Sequence, residues 1–414
     1  MAGLRVDSEI DDRSLSDRIR AWGAWNVAAV VLMVLIGAGF LWPGMTLNTL
    51  DAVGLPTSEL PFGRDLRTFL AAGELAADRS GDLIYDRTAW AYVEAGSTDS
   101  RFVIPPWYAI AMIPLTWFAF PVVFAAWTIA GIGVSVLVLR RLEVARAELV
   151  GAGVLLTAAA TLSIWYGQNA FFMMGLLTIA ILGLERGAFT TSGVAFGFLA
   201  FKPHLFLGFV VWFLLDVRRM ARIVVPALAT TAVLFIVSAA WLPGAWMEFL
   251  SAVVSDESLA NDARELSLLS SVRLLFVGFP VLVVIGTVIV GGAVLAGLGL
   301  GIRWSDANVR IAAGLSIIAS LLIAPHVVSY DWLLLAVALA LLAWRPLVAR
   351  STIVGVGAML ACVLVIGFFL TDAQLDAFGR AIHIAPVALA GVFVGALAMV
   401  RQIAPSREKT VDSP

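Results

Sequence analysis

The sequence predicts an all-α polytopic membrane protein, a bundle of about twelve transmembrane helices with interfacial helices in its outer loops. Three observations carry this expectation. Of 414 residues, 61% are hydrophobic and 14% charged, and mean hydropathy is +0.96, which is more apolar surface than a water-soluble chain of this length can bury. The apolar residues fall in runs of roughly 15–25, long enough to cross a hydrocarbon core. Arginines gather between alternate runs, the distribution that orients membrane helices.

Residues 1–21 read as a cytoplasmic tail, held inside by Arg13, Arg18 and Arg20, and the first span is 22–42. Its apolar stretch is too long for a cleaved signal peptide, and no A-x-A site follows it. An outer loop, 43–103, comes next. Within it Leu66, Phe69, Leu70, Gly73 and Ala77 recur at helical spacing, so an amphipathic helix begins at Asp65. The stretch 104–139 is apolar but broken at Pro121; as one net crossing it leaves 104–120 re-entrant, tilted or in-plane. Further spans are expected at 149–165, 168–185, 187–201, 203–217, 222–242, 277–302, 308–324, 328–344, 350–370 and 383–401. The second outer loop, 243–276, carries Trp246, Phe249, Leu250, Val253 and Val254 at helical spacing after Pro243-Gly244. Both loop helices are expected to lie in the membrane interface. The transmembrane domain thus covers 22–401, and 402–414 is a cytoplasmic tail. Alternation from an inside N-terminus places Arg140, Arg141, Arg186, Arg218, Arg219, Arg303, Arg310 and Arg401 in the cytoplasm. Arginine used in place of lysine, with abundant Ala, Val, Leu and Gly, points to a bacterial protein and hence to the bacterial inner membrane.

Several function classes drop out. Net charge is −2, so no basic field suggests nucleic acid. Cys362 is the single cysteine, which excludes an internal disulfide and a CxxC metal pair. The chain has no D-x-D, HExxH or Walker A sequence, and nothing in it calls for a metal or a cofactor. The glycines at Gly151–Gly153 and Gly291–Gly301 lie inside apolar spans and read as close helix packing.

The remaining polar residues form islands at breaks between spans: Gly167-Gln168-Asn169, Phe201-Lys202-Pro203-His204, and Pro325-His326 with Ser329, Tyr330 and Asp331. The topology puts all three on the outer side, together with Asp65. Each island also has a purely structural reading. Asp65 can be a helix N-cap receiving the backbone N–H of Arg67 or Thr68. Lys202, one of only two lysines, can snorkel from a helix end with Pro203 opening the next helix. The histidines can each satisfy a backbone carbonyl, Gln168-Asn169 can be a cap, the aromatic stretch 102–118 can be an interfacial belt, and Arg264 and Arg273 can be solvated. Structural needs alone do not explain why every island faces one way. A secondary transporter or lipid flippase is the competing functional reading; it would put charged groups near the midplane, where this chain has none. A non-catalytic scaffold is a third.

The chain resembles the bacterial GT-C glycosyltransferases of glycosyltransferase family 87, which includes polyprenyl-phosphate-mannose-dependent mannosyltransferases. The resemblance is carried by Gly63-Arg64-Asp65 with Phe69, Ala72 and Gly81 to Tyr85, by Phe102-Val103-Ile104-Pro105-Pro106 with Pro114, and by Gly167-Gln168-Asn169, Lys202-Pro203 and Pro325-His326…Tyr330-Asp331 in that order. Phe69 replaces a frequent Tyr, and Ile104 replaces an aromatic residue. The resemblance implies an inverting transfer of a sugar, mannose first among candidates, from a polyprenyl-phosphate donor to a glycolipid or polysaccharide acceptor at the outer face, among membrane lipids. Asp65 matches the catalytic aspartate, a carboxylate whose basicity desolvation can raise. Lys202, and after it His326, are the cations for the leaving phosphate. Gln168 and Asn169 suit sugar hydroxyls. His204 belongs to the same binding set, and Asp331 is placed to orient His326.

Overall fold

The computed structural model describes residues 63–86, 102–144, 147–155, 157–255, 265–306, 308–342, 374–376 and 381–403. The tails 1–21 and 402–414 and the spans expected at 22–42 and 350–370 fall wholly or almost wholly outside these residues. The described chain is helical apart from an antiparallel ribbon pairing β1 (Gln374–Asp376) with β2 (Ala381–His383).

Helix α1 is Arg64–Ala77 and α2 is Pro106–Met112, continued by a 3₁₀ turn at Ile113–Leu115. After Ala119 comes α3, Phe120–Arg141, with Pro121 in its first turn, where its missing N–H costs nothing. The predicted break at Pro121 is therefore a helix start. The piece before it, Pro106–Leu115, spans about 15 Å at 1.5 Å per residue and is too short to cross a bilayer. Helices α4 (Ala147–Leu155) and α5 (Ala158–Tyr166) divide the span expected as one at 149–165, with Thr157 capping α5 through the Ala160 N–H. Next come α6 (Ala170–Glu185), α7 (Phe189–Phe198), α8 (Leu207–Leu215) and α9 (Val217–Trp241). They are followed by α10 (Ala245–Ser255), α11 (Leu268–Leu275), α12 (Pro280–Trp304) and α13 (Val309–Ile323). The last two are α14 (Leu334–Leu342) and α15 (Ile384–Ile403).

Among the described residues, three helices, α3, α9 and α12, are long and apolar enough to cross a membrane. Away from the arginines at their ends, their outward side chains are apolar, with Val225 66%, Val284 62% and Val288 67% exposed. Water would not tolerate such a continuous surface, whereas lipid does. Among the described residues the protein is therefore a helical membrane protein, apart from the short β1–β2 ribbon. At its centre stands α13, every residue of which is buried. It packs so closely on α8 that a Cβ on Gly208 would lie 2.2 Å from the Ser316 carbonyl oxygen. A Cβ on Gly193 of α7 would lie 2.4 Å from the Ile223 carbonyl oxygen of α9, so the glycine spacing of α7 serves close packing. The glycines of α12 divide: Gly301 packs against Leu397 and Leu315, while Gly292 and Gly299 meet nothing.

The chain runs back and forth between two poles. At one, Arg310 at the start of α13 binds Glu185 at the end of α6 (2.8 Å) and reaches Glu143 beyond α3 (3.6 Å). At the other lie the beginnings of α1 and α6 and the end of α13. Helices α6 and α13 are thus antiparallel. Arg310, expected at the cytoplasmic end of the span 308–324, is buried within the first turn of α13.

The two loop helices depart from the expected interfacial pair. In α1, Thr68, Ala71 and Ala72 are buried together with Leu66, Phe69 and Leu70, so the helix is sunk into the bundle. Helix α10 fits the expectation better: Met247, Leu250 and Val253 are exposed, while Trp246 and Phe249 pack inward on each other and on Phe235 and Tyr85.

Candidate active site

The second pole collects every predicted site residue. Two glycines with left-handed backbone build its first half. Gly63 (φ 71°) is the N-cap of α1 and donates its N–H to the Trp165 carbonyl at 2.8 Å. Gly167 (φ 70°) ends α5, and a Cβ there would stand 2.5 Å from the Leu66 Cβ. Only glycine satisfies both the conformation and the contact. Immediately after it the chain turns through 118° between α5 and α6, with Gln168 and Asn169 at the corner. The start of α1 is thereby pressed against that corner.

Asp65 consequently sits one residue inside the helix, in the first turn and not at the cap, and its Oδ2 accepts a short hydrogen bond from Gln168 Nε2. Arg64 Nε lies 3.8 Å from the other oxygen. The Gln168 carbonyl is held by the Trp127 indole N–H at 3.2 Å, which fixes the corner to α3. Asn169 starts α6, and its Nδ2 donates to the Tyr108 hydroxyl at 3.2 Å. The side-chain carbonyl oxygens of both amides, Gln168 Oε1 and Asn169 Oδ1, are buried with no hydrogen-bond partner among the described residues. Buried acceptors are seldom left so, and two adjacent ones mark a place suited to hydroxyl donors.

The second half of the pole forms at the break between α7 and α8. Pro203 has no N–H to give and pushes Lys202 out of helical geometry (φ −133°, ψ 64°). The chain closes 3₁₀ turns on either side, at Leu199–Phe201 and Pro203–Phe206. Lys202 Nζ makes a 2.8 Å ion pair with Asp331 Oδ1, and lies 4.8 Å from the Tyr330 ring centroid. The other oxygen of Asp331 accepts the Val328 N–H at 3.2 Å. Asp331 is wholly buried and Lys202 12% exposed, so the pair offsets the cost of a charge among apolar helices and leaves the ammonium at the edge.

Asp331 therefore holds Lys202 and does not orient His326. Within the 3₁₀ turn Ser329–Leu333 its two oxygens are taken by Lys202 and the Val328 N–H. His326 follows Pro325, which ends α13 by removing an N–H and forcing Ala324 into extended geometry. Its Nδ1 faces Glu265 Oε1, and its ring lies 5.8 Å from His204, edge to face. His326 thus meets a carboxylate and not the backbone carbonyl that a purely structural role predicts. His204 Nε2 is buried without a hydrogen-bond partner among the described residues, within electrostatic reach of Asp331 and Lys202. The Tyr330 hydroxyl joins the halves: Asp65, Asp331, Glu265 and Arg64 all act on it electrostatically.

Three contributors were missed by sequence reasoning. Tyr108 was hidden in an aromatic run; it is a buried hub against Phe69 (5.3 Å), Phe201 (5.5 Å) and Asn169. Of that run, only the stretch around Trp117 and Phe118 is exposed as an interfacial belt would be. Glu265 stood in a polar loop with nothing to distinguish it. Arg273 is half-buried and donates to the Pro325 carbonyl at 3.0 Å, so it is not simply solvated, and Arg264 lies outside the described residues. Tyr85, from the loop ahead of the site, donates to the Ile104 carbonyl at 2.7 Å and packs on Phe102; burial pushes its hydroxyl well above the usual tyrosine range.

The arrangement offers a carboxylate held by an amide, a lysine and a histidine each set against a buried acid, and amide carbonyls without partners among the described residues, all on one face of a membrane bundle. No curated protein and no solved structure matches the chain. The family model for glycosyltransferase family 87 matches residues 102–329, which is more than half of the sequence. The matched stretch carries Tyr108, Gln168, Asn169, Lys202, His204, Glu265 and His326; Asp65 precedes it, and Tyr330 and Asp331 follow it. On that match the chain belongs to glycosyltransferase family 87.

Proposed function

We propose that the protein is an inverting GT-C enzyme of about twelve transmembrane helices in a bacterial inner membrane. It moves a sugar, mannose first among candidates, from a polyprenyl-phosphate donor to a glycolipid or polysaccharide acceptor on the extracytoplasmic face. The observation that carries this reading is the meeting of Asp65 with Gln168 beside the Lys202–Asp331 pair and the two histidines. A base and phosphate-binding cations are what one displacement at an anomeric carbon needs.

In the proposed step an acceptor hydroxyl oxygen attacks the anomeric carbon while the bond from that carbon to the phosphate oxygen breaks. The hydroxyl proton passes to Asp65, and the electron pair leaves with the polyprenyl phosphate. Gln168 keeps one carboxylate oxygen fixed so that the other can meet the hydroxyl. The phosphate is already a good leaving group and asks for cations more than for a proton. Lys202 has ammonium protons beyond the one given to Asp331, and His326 is partly exposed beside it. The amide carbonyls of Gln168 and Asn169 receive sugar hydroxyls, and His204 lines the same place. A carrier diffusing in the lipid suits a site at a membrane face, and no further cofactor enters the reaction.

The direct test is incubation of the purified protein with a panel of radiolabelled polyprenyl-phosphate sugars and extracted membrane lipids. Label should move to an acceptor from one donor and be lost in Asp65→Asn. Transfer by a folded Asp65→Asn protein at the unaltered rate would remove Asp65 as the base.

A further inference from the structure

Glu265 is the most buried acid at this pole after Asp331, and its carboxylate is 1% exposed. One oxygen lies in ion-pair contact with His326 Nδ1, which makes no other hydrogen bond among the described residues, and the other accepts the Val327 N–H at 2.5 Å. The Leu266 N–H in turn donates to the Val327 carbonyl at 2.6 Å. These contacts lace the chain entering α11 to the chain leaving α13. Ser270 Oγ braces the lace by donating to the Glu265 carbonyl at 2.8 Å.

A buried carboxylate is tolerable only when donors surround it. The backbone N–H of Val327 is one donor, and the imidazole is the other candidate. An ionised carboxylate can only accept, so the ring nitrogen facing it has to carry a proton. The hydrogen bond made by one ring nitrogen decides what the other can do. With Nδ1 set against the carboxylate, Nε2 is the nitrogen left to accept a proton, or to donate one when the ring is charged.

We infer that Glu265 is a positioning residue that holds His326 protonated at Nδ1 and reserves Nε2 for the reacting groups. The inference rests on the proposed role of His326 at the leaving phosphate, and it adds the residue that makes that role selective. Glu265→Gln tests it sharply because the two side chains have the same shape. The glutamine carbonyl can still accept the Val327 N–H, but its amide then presents donors to Nδ1. The ring has to answer by placing its proton on Nε2.

The chain has three histidines, so nitrogen NMR of the histidine-labelled full-length protein is readily assigned with His326→Gln. The wild type should show His326 protonated at Nδ1, and Glu265→Gln should move the proton to Nε2. The same variant should lower kcat by about 100-fold or more, as a wrong imidazole tautomer does elsewhere, with the donor KM within about threefold of wild type. Glu265→Asp, still acceptor-only, should keep the Nδ1 proton and recover part of the rate. A wild-type His326 protonated only at Nε2 would overturn the inference without any Glu265 variant. A tautomer switch with unchanged kcat would also overturn it, leaving sugar transfer intact. Failure of the wild type to transfer sugar from any donor would instead strike the proposed function, and the NMR result would still decide what Glu265 does to His326.

Discussion

The two poles of the bundle use the same chemistry to different ends. At the first, Arg310 is enclosed: its guanidinium meets Glu185 at 2.8 Å, Glu143 at 3.6 Å and the Leu142 carbonyl at 3.5 Å. Its partners come from two stretches of chain, and it reads as a clasp tying α13 to α6 and to the end of α3. At the second pole, the acids Asp331 and Glu265 are the enclosed members, while the bases Lys202 and His326 stand partly open. Around them Gln168 Oε1, Asn169 Oδ1 and His204 Nε2 go without partners among the described residues. A clasp satisfies its charged groups inwardly; a site buries the counter-charge and turns the working group outward. The difference separates two sets of ion pairs that composition alone makes look alike.

That contrast can be broken by substitution. The largest effect is expected from Asp65→Asn, which should cut sugar transfer by about 10²–10⁴-fold, the range for losing a general base, with the thermal midpoint in detergent hardly moved. Lys202→Met should raise the apparent donor KM by about tenfold or more, at the scale of one charge-assisted phosphate contact, with a smaller change for the acceptor. It should also destabilise the protein by stranding Asp331. The double change Lys202→Met with Asp331→Leu should restore the stability without the donor affinity, and recovery of both would make the pair a second clasp. Arg310→Met should do the opposite of Asp65→Asn, costing about 1–3 kcal/mol of stability for a lost charged hydrogen bond and leaving kcat of the folded fraction near wild type. A large fall in kcat at constant stability would end the contrast. The smallest effect is expected from Gly167→Ala, about 1–2 kcal/mol from the left-handed backbone, measured by denaturation, with a modest loss of rate as Leu66 shifts and carries Asp65 with it.

Much of the second pole was legible in the sequence, because islands of polar residues between apolar runs have few places to go. Proline made the breaks readable: Pro203 and Pro325 end helices by rules that hold without tertiary structure. The alternation of arginines then put Gln168, Lys202 and His326 on one side, and the contacts Asp65–Gln168, Lys202–Asp331 and His204–His326 bring those residues together. The pairing itself was not legible. Asp331 lies five positions from His326 and 129 from Lys202, and only the 3₁₀ turn decides between them. Glu265 reaches His326 across the whole of α11, α12 and α13, a separation that no local pattern encodes. The burial of α1 was missed for a simpler reason. Ala71 and Ala72 carry so little side chain that they do not declare which face they occupy.

The antiparallel pair α6 and α13 also makes the protein a gauge of helical phase. Arg310 lies in the first turn, and His326 just past the end, of a single buried helix of 15 residues, about 22 Å long at 1.5 Å per residue. Each inserted or deleted residue would turn one end against the other by about 100°. The clasp at the start of α13 therefore sets the angle at which His326 arrives at the far end, so a one-residue deletion in the middle of α13 should turn the imidazole away from Glu265 even with both residues and every neighbouring helix unchanged.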